Sequence, residues 1–469
     1  MIELNDPILP SWLVKPTHSC RLVECSNTSI TLVVWQYCKL YRTKSMTLSV
    51  GLLLIATLAL SCLSTSIVKQ QDQALAQQYI QTIKYRNLVI DLGNGVKTNA
   101  QLTLPAVGKG PFPAVLLVHG SGRTDMNETG PNAKPFWQIS QYLSERGFAV
   151  LRYDKRGIGA NHAIVDSNIW GNATFNDLKR DAQRALAVLI NQPEVDPNEI
   201  TILGHSEGTI LAPRVAIDNA TKVKNIVLMG AVAQNSSDIA YLQGVSMPLL
   251  YAEKVLDRDH SGMLSISEAN QNPVFSTLAG NLTLLLETTN GTKHQLNPKY
   301  NTNNDAYISI NNELKPKLIA QVKSLSVVTP GKKCTGTCPI WFRSHYALEP
   351  TLSIIGNVPP KTSILILQGE NDTQTPVHQA FLLQQALIDK RHPDHTLITY
   401  PNLGHLFYPS SEWQTGFGPI QQNVLADLYA WLEAHSGLSH SYVTTTTATS
   451  TIGVANTSSL NTNTTSSKR

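Results

Sequence analysis

The sequence predicts an α/β protein: a mostly parallel central sheet with helices on both faces and a large, mainly helical insertion. Three observations predict it. From about residue 80 to 437, short apolar runs of strand type alternate with segments of helical period, which is the rhythm of a parallel sheet built from strand–helix–strand units. Between about 234 and 355 that rhythm breaks, marking an inserted segment, a lid. The 469 residues are 42% hydrophobic and 15% charged, enough for a packed core and too poor in charge for a wholly disordered chain.

The elements follow in order. Asn87–Leu92 and Asn99–Leu104 read as an antiparallel pair around the Gly93-Asn94-Gly95 turn. Ala114–Val118 is a buried strand, Phe136–Arg146 a helix and Ala149–Tyr153 the next strand. Phe175–Gln192 has the spacing of a long amphipathic helix. Ile200–Leu203, Asn225–Met229, Ser363–Leu367 and Thr396–Tyr400 are further strands, and Gln421–Ala434 closes as a helix. Inside the insertion, Ile239–Leu256 is a helical run.

The strongest chemical signal is Gly204-His205-Ser206-Glu207-Gly208, a Gly-x-Ser-x-Gly directly after a strand and before a helix. Such a turn is sharp, so it needs glycines, and it lifts the serine hydroxyl out of the sheet. A serine hydroxyl is a weak nucleophile and requires a base. The acid and base are expected later, in the order Ser, Asp, His. Asp372 lies on the loop after the strand ending at Leu367, 166 residues past Ser206. His405 lies 33 residues further, after the strand ending at Tyr400. His405 would take the Ser206 proton, and Asp372 would fix its tautomer. Glu370 on the same loop is an alternative acid; His378, His392 and His395 read as surface residues on or near a helix end. His119-Gly120-Ser121-Gly122 follows an early strand, where a second oxyanion amide arises. The expected donors are the backbone N–H groups of Ser121 and Glu207, each typically worth about 3 kcal/mol in the transition state.

These residues resemble the α/β-hydrolase superfamily across about 80–233 and 356–437. HGSGRTDMNE, LRYDKRGIG and GHSEG look like a branch of secreted esterases close to serine aminopeptidase-like hydrolases. The resemblance implies an eight-stranded architecture, a Ser–His–Asp triad and acyl transfer to water. It also implies that Tyr153-Asp154-Lys155-Arg156-Gly157 is a structural loop signature, and Asp154 and Arg156 read as loop ion-pairing residues, not catalytic ones. That family usually shows Pro where this chain has Arg123.

The insertion carries a second motif. Asp257 to Glu268 matches a twelve-position EF-hand loop. Asp257, Asp259 and Ser261 stand at positions 1, 3 and 5, and Gly262 at the sharp turn. Met263 offers its carbonyl at 7, Ser265 stands at 9 and Glu268 is the bidentate ligand at 12. The expected ion is Ca2+ in a structural role, with no cofactor for the chemistry. Asn301 to Asn312 is a faint echo without Gly at 6 or Glu at 12. Cys334 and Cys338 are spaced for a disulfide closing a tight loop. Trp341, Phe342 and Tyr346 could line an acyl pocket or simply pack.

The ends concern targeting. Met46–Val68 has no charged residue, with Lys39, Arg42 and Lys44 before it and Lys69 after. It reads either as a signal peptide starting at Met46 or as a membrane anchor with the bulk of the chain outside. Residues 1–45 then form an extension or precede the true start. Cys62 follows a poor lipid-attachment match. Residues 441–469, rich in Thr, Ser and Asn, read as a disordered tail. Ten Asn-x-Ser/Thr sequons suit an exported protein. Net charge is +4 without a basic patch, which argues against nucleic acid as partner. Cys20, Cys25, Cys38 and Cys62 crowd the start of the chain, so neither a disulfide-dense scaffold nor a zinc ribbon fits.

The expected activity is hydrolysis of a small carboxylic ester at the cell surface or outside the cell, with membrane contact only through 46–68 if that segment is retained. Two alternatives remain. A serine aminopeptidase of this fold would need an acidic subsite, from Glu207 or lid carboxylates. A calcium-dependent surface binding module would need no triad.

Overall fold

Phe112 to Val118 is buried at every position, and successive side chains point to opposite faces. Ala114, Leu116 and Val118 join one apolar cluster, while Val115 and Leu117 join another. A strand buried on both faces is the mark of a covered parallel sheet. In the computed structural model, residues 83–438 are described apart from 109, 271–284, 290–292, 330–333, 335 and 337. The expected extension 1–45, the signal or anchor Met46–Val68, the tail 441–469 and Cys20, Cys25, Cys38 and Cys62 lie outside the described residues.

Twelve strands are described: β1 Lys84–Gly93, β2 Val96–Leu104, β3 Phe112–Val118, β4 Ala149–Tyr153, β5 Val195–His205, β6 Asn225–Met229, β7 Met263–Ser265, β8 Leu286–Thr289, β9 Lys293–Leu296, β10 Tyr307–Ser309, β11 Ser363–Gly369 and β12 His395–Tyr400. Eight form one sheet in the order β1-β2-β4-β3-β5-β6-β11-β12. β1 and β2 pair antiparallel, as does β2 with β4, and every later neighbour is parallel. The β1–β2 turn places Asn94 at φ 52, where a short polar side chain is tolerated. The parallel strands therefore end along one edge, where a site in an open α/β sheet belongs.

The longer helices are α1 Pro135–Ser144, α2 Phe175–Ile190, α3 Gly208–Asp218, α4 Lys315–Ser324, α5 Pro339–Tyr346, α6 His378–Asp389 and α7 Gln422–Ala434. α2 begins where Thr174 and Asp177 cap each other's backbone amides, a reciprocal box that satisfies two otherwise orphaned donors. Phe175, Leu178, Ala182 and Leu186 of α2 pack on one sheet face with α3 and α6. Phe136, Ile139 and Leu143 of α1 pack on the other with Val424, Leu425 and Leu428 of α7.

The segment between β6 and β11 has its own apolar cluster, around Val245, Tyr251, Leu264, Tyr300, Ile308, Leu314 and Leu318. The expected run Ile239–Leu256 is helical from Ser236 to Leu256. It is wound into wider π turns at Leu242–Ser246 and Ala252–Leu256. No helix among the described residues is long and apolar enough to cross a membrane.

Candidate active site

Ser206 follows the last residue of β5 and precedes Glu207 at the start of α3. Its φ is 53, in the left-handed region that costs a side-chain-bearing residue about 1–2 kcal/mol. The Ser206 amide donates to the Met229 carbonyl at the end of β6 (2.9 Å), which anchors the turn. The flanking glycines have a steric cause. A Cβ on Gly204 would lie 2.1 Å from the Gly208 oxygen, and one on Gly208 would lie 2.1 Å from the Val118 oxygen. The strand-to-helix turn can close only if both lack side chains.

Asp372 and His405 lie on the loops after β11 and β12 and meet in the interior. His405 Nδ1 is 2.8 Å from Asp372 Oδ2, and both residues are buried. Asp372 also accepts from the Thr375 hydroxyl (2.8 Å), the amides of Gln374 and Thr375 (2.8 and 2.9 Å) and Gln368 Nε2 (3.0 Å). Burial works against the carboxylate, but His405 and these donors outweigh it and hold Asp372 below its ordinary range. Glu370 points elsewhere: it is exposed and accepts from the Thr399 hydroxyl at 2.8 Å. Strand order brings His405 towards Ser206. Gly230, next to the carbonyl that anchors Ser206, sits so close to His405 that a Cβ there would lie 3.1 Å from Cε1. No Ser206 hydroxyl–His405 hydrogen bond is formed among the described residues, and such contacts often tighten only with substrate bound.

The His119–Gly122 loop comes in above the turn, where a Cβ on Gly120 would lie 3.1 Å from Cβ of Ser206. His119 is buried against the Tyr153 carbonyl. Desolvation and the nearby Lys155 push it down to about 4, so it stays neutral. Two ion pairs flank Ser206, and neither is visible in sequence. His205 Nδ1 lies 2.8 Å from Glu128 Oε2, and its Nε2 lies 3.1 Å from the His405 carbonyl. Burial opposes the charge on His205, but Glu128 overcomes it and the imidazole titrates above its ordinary range. Glu207 Oε2 lies 2.6 Å from Lys155 Nζ, while Glu207 Oε1 faces Trp341 Nε1 and His345 Nε2 (2.5 and 2.7 Å). Burial raises the Glu207 carboxyl, but Lys155 and His345 dominate and bring it down to about 2. The partners of His205 and Glu207 are remote in sequence, so no local signal announces them.

A cleft of about 220 Å³ opens at Ser206. Ser121 and Glu207 line it beside Ile210, Val232, Ile239, Trp341 and Phe342. Of the expected aromatics, Trp341 and Phe342 reach the cleft, while Tyr346 packs 5.8 Å from the Phe342 ring. A disulfide joins Cys334 to Cys338 just before α5. Two expectations change. Arg156 does ion-pair, but with Asp181 and Asp177 on α2 (2.6 and 3.4 Å), whereas Asp154 accepts the Met126 amide (2.7 Å), so the loop is also tied to a helix. His392 is buried, because Arg391 at φ 55 turns the chain back so that the His392 amide reaches the Leu387 carbonyl (2.9 Å).

In the insertion, carboxylate oxygens of Asp257, Asp259 and Glu268 lie within 4.8 Å of one another. Asp257 accepts the amides of Ser261 and Gly262 (3.0 and 2.9 Å), and Gly262 takes φ 75. Ser261 donates to the Met263 carbonyl and Ser265 to Glu268 (3.2 and 2.8 Å), so these oxygens are turned toward one another. β7 pairs antiparallel with β10, Leu264 opposite Ile308, which joins the loop to the 301–312 echo. The acid of that echo is Glu313, one residue beyond position 12. It accepts the amides of Thr302, Asn303 and Ser309 (2.7, 3.3 and 2.9 Å), and the π turn Ile310–Leu314 absorbs the extra residue.

The family model described as alpha/beta hydrolase fold matches residues 113–411. The chain is 36% identical over 153 residues to "Esterase EstD" of Thermotoga maritima, covering 31% of this chain and 34% of the relative. It is 26% identical over 197 residues to "Esterase FrsA" of Citrobacter koseri, covering 40% and 43%. The chain thus spans about a third to two-fifths of the length of these relatives. A solved structure, the alpha/beta hydrolase GrgF from Penicillium sp. sh18, superposes with a TM-score of 0.44 at 14% identity, covering 76% of this chain and all of that one.

Proposed function

The chain belongs to the alpha/beta hydrolase fold family, and from that premise we propose that it hydrolyses small carboxylic esters with Ser206, His405 and Asp372 as its triad. One observation carries the reading: the buried His405–Asp372 pair at 2.8 Å stands at the sheet edge where Ser206 is raised on a left-handed turn. Ser206 Oγ attacks the ester carbonyl as His405 Nε2 takes its proton. The oxyanion faces the amides of Ser121 and Glu207. The proton passes to the departing alcohol, and water, deprotonated by His405, then releases the acid from the acyl-enzyme. Ile210, Val232, Ile239, Trp341 and Phe342 would receive the acyl chain.

The ester reading is favoured over the aminopeptidase one by charge. A free amine would need an unpaired carboxylate in the cleft. Glu207 is the only carboxylate among the described lining residues, and Lys155 already neutralises it. A surface binding module has no use for a buried acid–base pair. Calcium fits Asp257, Asp259 and Glu268, whose oxygens already converge; Ser261, Met263 and Ser265 would turn toward the ion to complete the shell. There it would order the insertion and take no part in acyl transfer. Export, with an anchor at 46–68 if uncleaved, is supported by that segment's sequence and by the Cys334–Cys338 disulfide.

The test assays p-nitrophenyl acetate through decanoate beside aminoacyl p-nitroanilides, with Ser206→Ala as control. Ester turnover that disappears in the variant supports the reading. Anilide turnover in its place moves the protein to the peptidase reading. Ester turnover that survives in Ser206→Ala removes Ser206 as nucleophile.

A further inference from the structure

Lys155 lies in a loop that the resemblance treats as scaffold, yet its side chain is only 3% exposed and its ammonium spends its donors beside Ser206. It donates to the Gly120 carbonyl (2.6 Å), the Gly122 carbonyl (3.3 Å) and Glu207 Oε2 (2.6 Å). Gly120 and Gly122 flank Ser121, whose amide is the first oxyanion donor. The Gly120 carbonyl and the Ser121 N–H belong to one planar trans peptide and point in opposite directions. A cation holding the carbonyl from behind therefore fixes the aim of the N–H in front. The amide of Glu207 is the second oxyanion donor, and the Glu207 side chain is held by the same ammonium. Its other oxygen is held by Trp341 and His345 of α5.

We infer that Lys155 and the Glu207 carboxylate are positioning residues that aim both oxyanion amides, and that Trp341 and His345 couple this aim to the docking of α5. Neither side chain exchanges a proton or touches the reacting atoms. A flexible loop alone would leave the Ser121 peptide free to rotate, and the cost would fall on the transition state, where the oxyanion needs both donors. A buried pair suits this work because losing one partner strands the other charge. For the same reason single removals threaten folding, so the test begins with both charges deleted. The inference rests on the ester-hydrolase reading, and the experiment separates the two.

The double variant Lys155→Met/Glu207→Leu is compared with wild type for thermal melting, kcat and KM on the best p-nitrophenyl ester, and affinity for a trifluoromethyl ketone that forms a tetrahedral adduct. Active sites are counted by fluorophosphonate titration to completion. The expected result is a folded protein whose kcat per titrated site falls about a hundredfold or more, the scale of losing one oxyanion donor. Ketone affinity falls by a similar factor, while KM moves less than about threefold, because ground-state binding needs no oxyanion. If the double variant does not fold, Glu207→Gln keeps the size but exchanges one acceptor oxygen for an NH2 donor, so only one side of the clamp survives, and its kcat per site falls about tenfold. A folded variant with wild-type kcat per site and ketone affinity overturns the inference. Wild-type turnover that persists in Ser206→Ala instead overturns Ser206 as the nucleophile, the part of the ester-hydrolase reading on which the inference rests.

Discussion

Ser206, Asp372 and His405 sit on turns between elements whose apolar side chains enter two continuous clusters, one on each face of an eight-stranded sheet. Asp257 to Glu268 sits in an insertion with a separate, smaller cluster, two-stranded pairings and π turns. In the first region the proposed triad is fixed by geometry that tolerates almost no change, such as the 2.1 Å approach that bars a side chain at Gly204. In the second the loop is closed by carboxylates accepting backbone amides, the arrangement that the calcium proposal would have an ion replace. The difference teaches where disruption should act: at the sheet edge on chemistry, in the insertion on stability.

The largest expected effect is at the nucleophile. Ser206→Ala should lower kcat about 10⁶-fold with an unchanged melting temperature, read by ester turnover and thermal denaturation. Asp372→Asn should keep the shape but lose the tautomer control of His405, lowering kcat about 10⁴-fold. A loss under tenfold would point away from Asp372 as the orienting acid.

The insertion should respond differently. Glu268→Gln should abolish a calcium-dependent rise in melting temperature of several degrees, about 1–2 kcal/mol by mass action at modest saturation, while kcat at saturating ester stays near wild type at low temperature. Calcium titration of the melting curve checks this. An equal calcium response in the variant would sever the loop from the ion.

The smallest effect is on acid stability. Glu207 binds its proton less readily folded, near 2, than at its ordinary 4.5. Such a group contributes its stability in full above about 4.5, and that contribution is lost as pH falls toward 2. Glu207→Gln cannot make this contribution, so its unfolding free energy should fall less than that of wild type between pH 4.5 and 2. Denaturant titrations across that window compare the slopes, and parallel slopes would contradict the ionised pair.

Much of the first region was legible in sequence. Ala149–Tyr153 and Asn225–Met229 are strands at their expected bounds, because both are short apolar runs buried at every position. The Gly-x-Ser-x-Gly turn is local and sterically determined, so spacing alone locates it. The choice between Asp372 and Glu370 was not legible. Both stand on one loop, and only the return of the chain after β12 decides which faces His405. Lys155 and Glu207 were equally hidden, since 52 residues separate them and nothing local to either announces a buried partner. In the insertion the carboxylate oxygens of Asp257, Asp259 and Glu268 converge to within 4.8 Å, at the spacing that suggested a calcium loop. Glu313 escaped because a π turn adds one residue to the period that the motif assumes.

The central claim is that Ser206 is a nucleophile activated by His405 and Asp372. Its most direct test is labelling of the folded protein with a fluorophosphonate, followed by peptide mapping, with ester turnover measured on the same samples. The account predicts one adduct per chain, on Ser206, with turnover falling in proportion to labelling and neither seen in Ser206→Ala. An adduct elsewhere, or turnover that survives complete modification of Ser206, would contradict it.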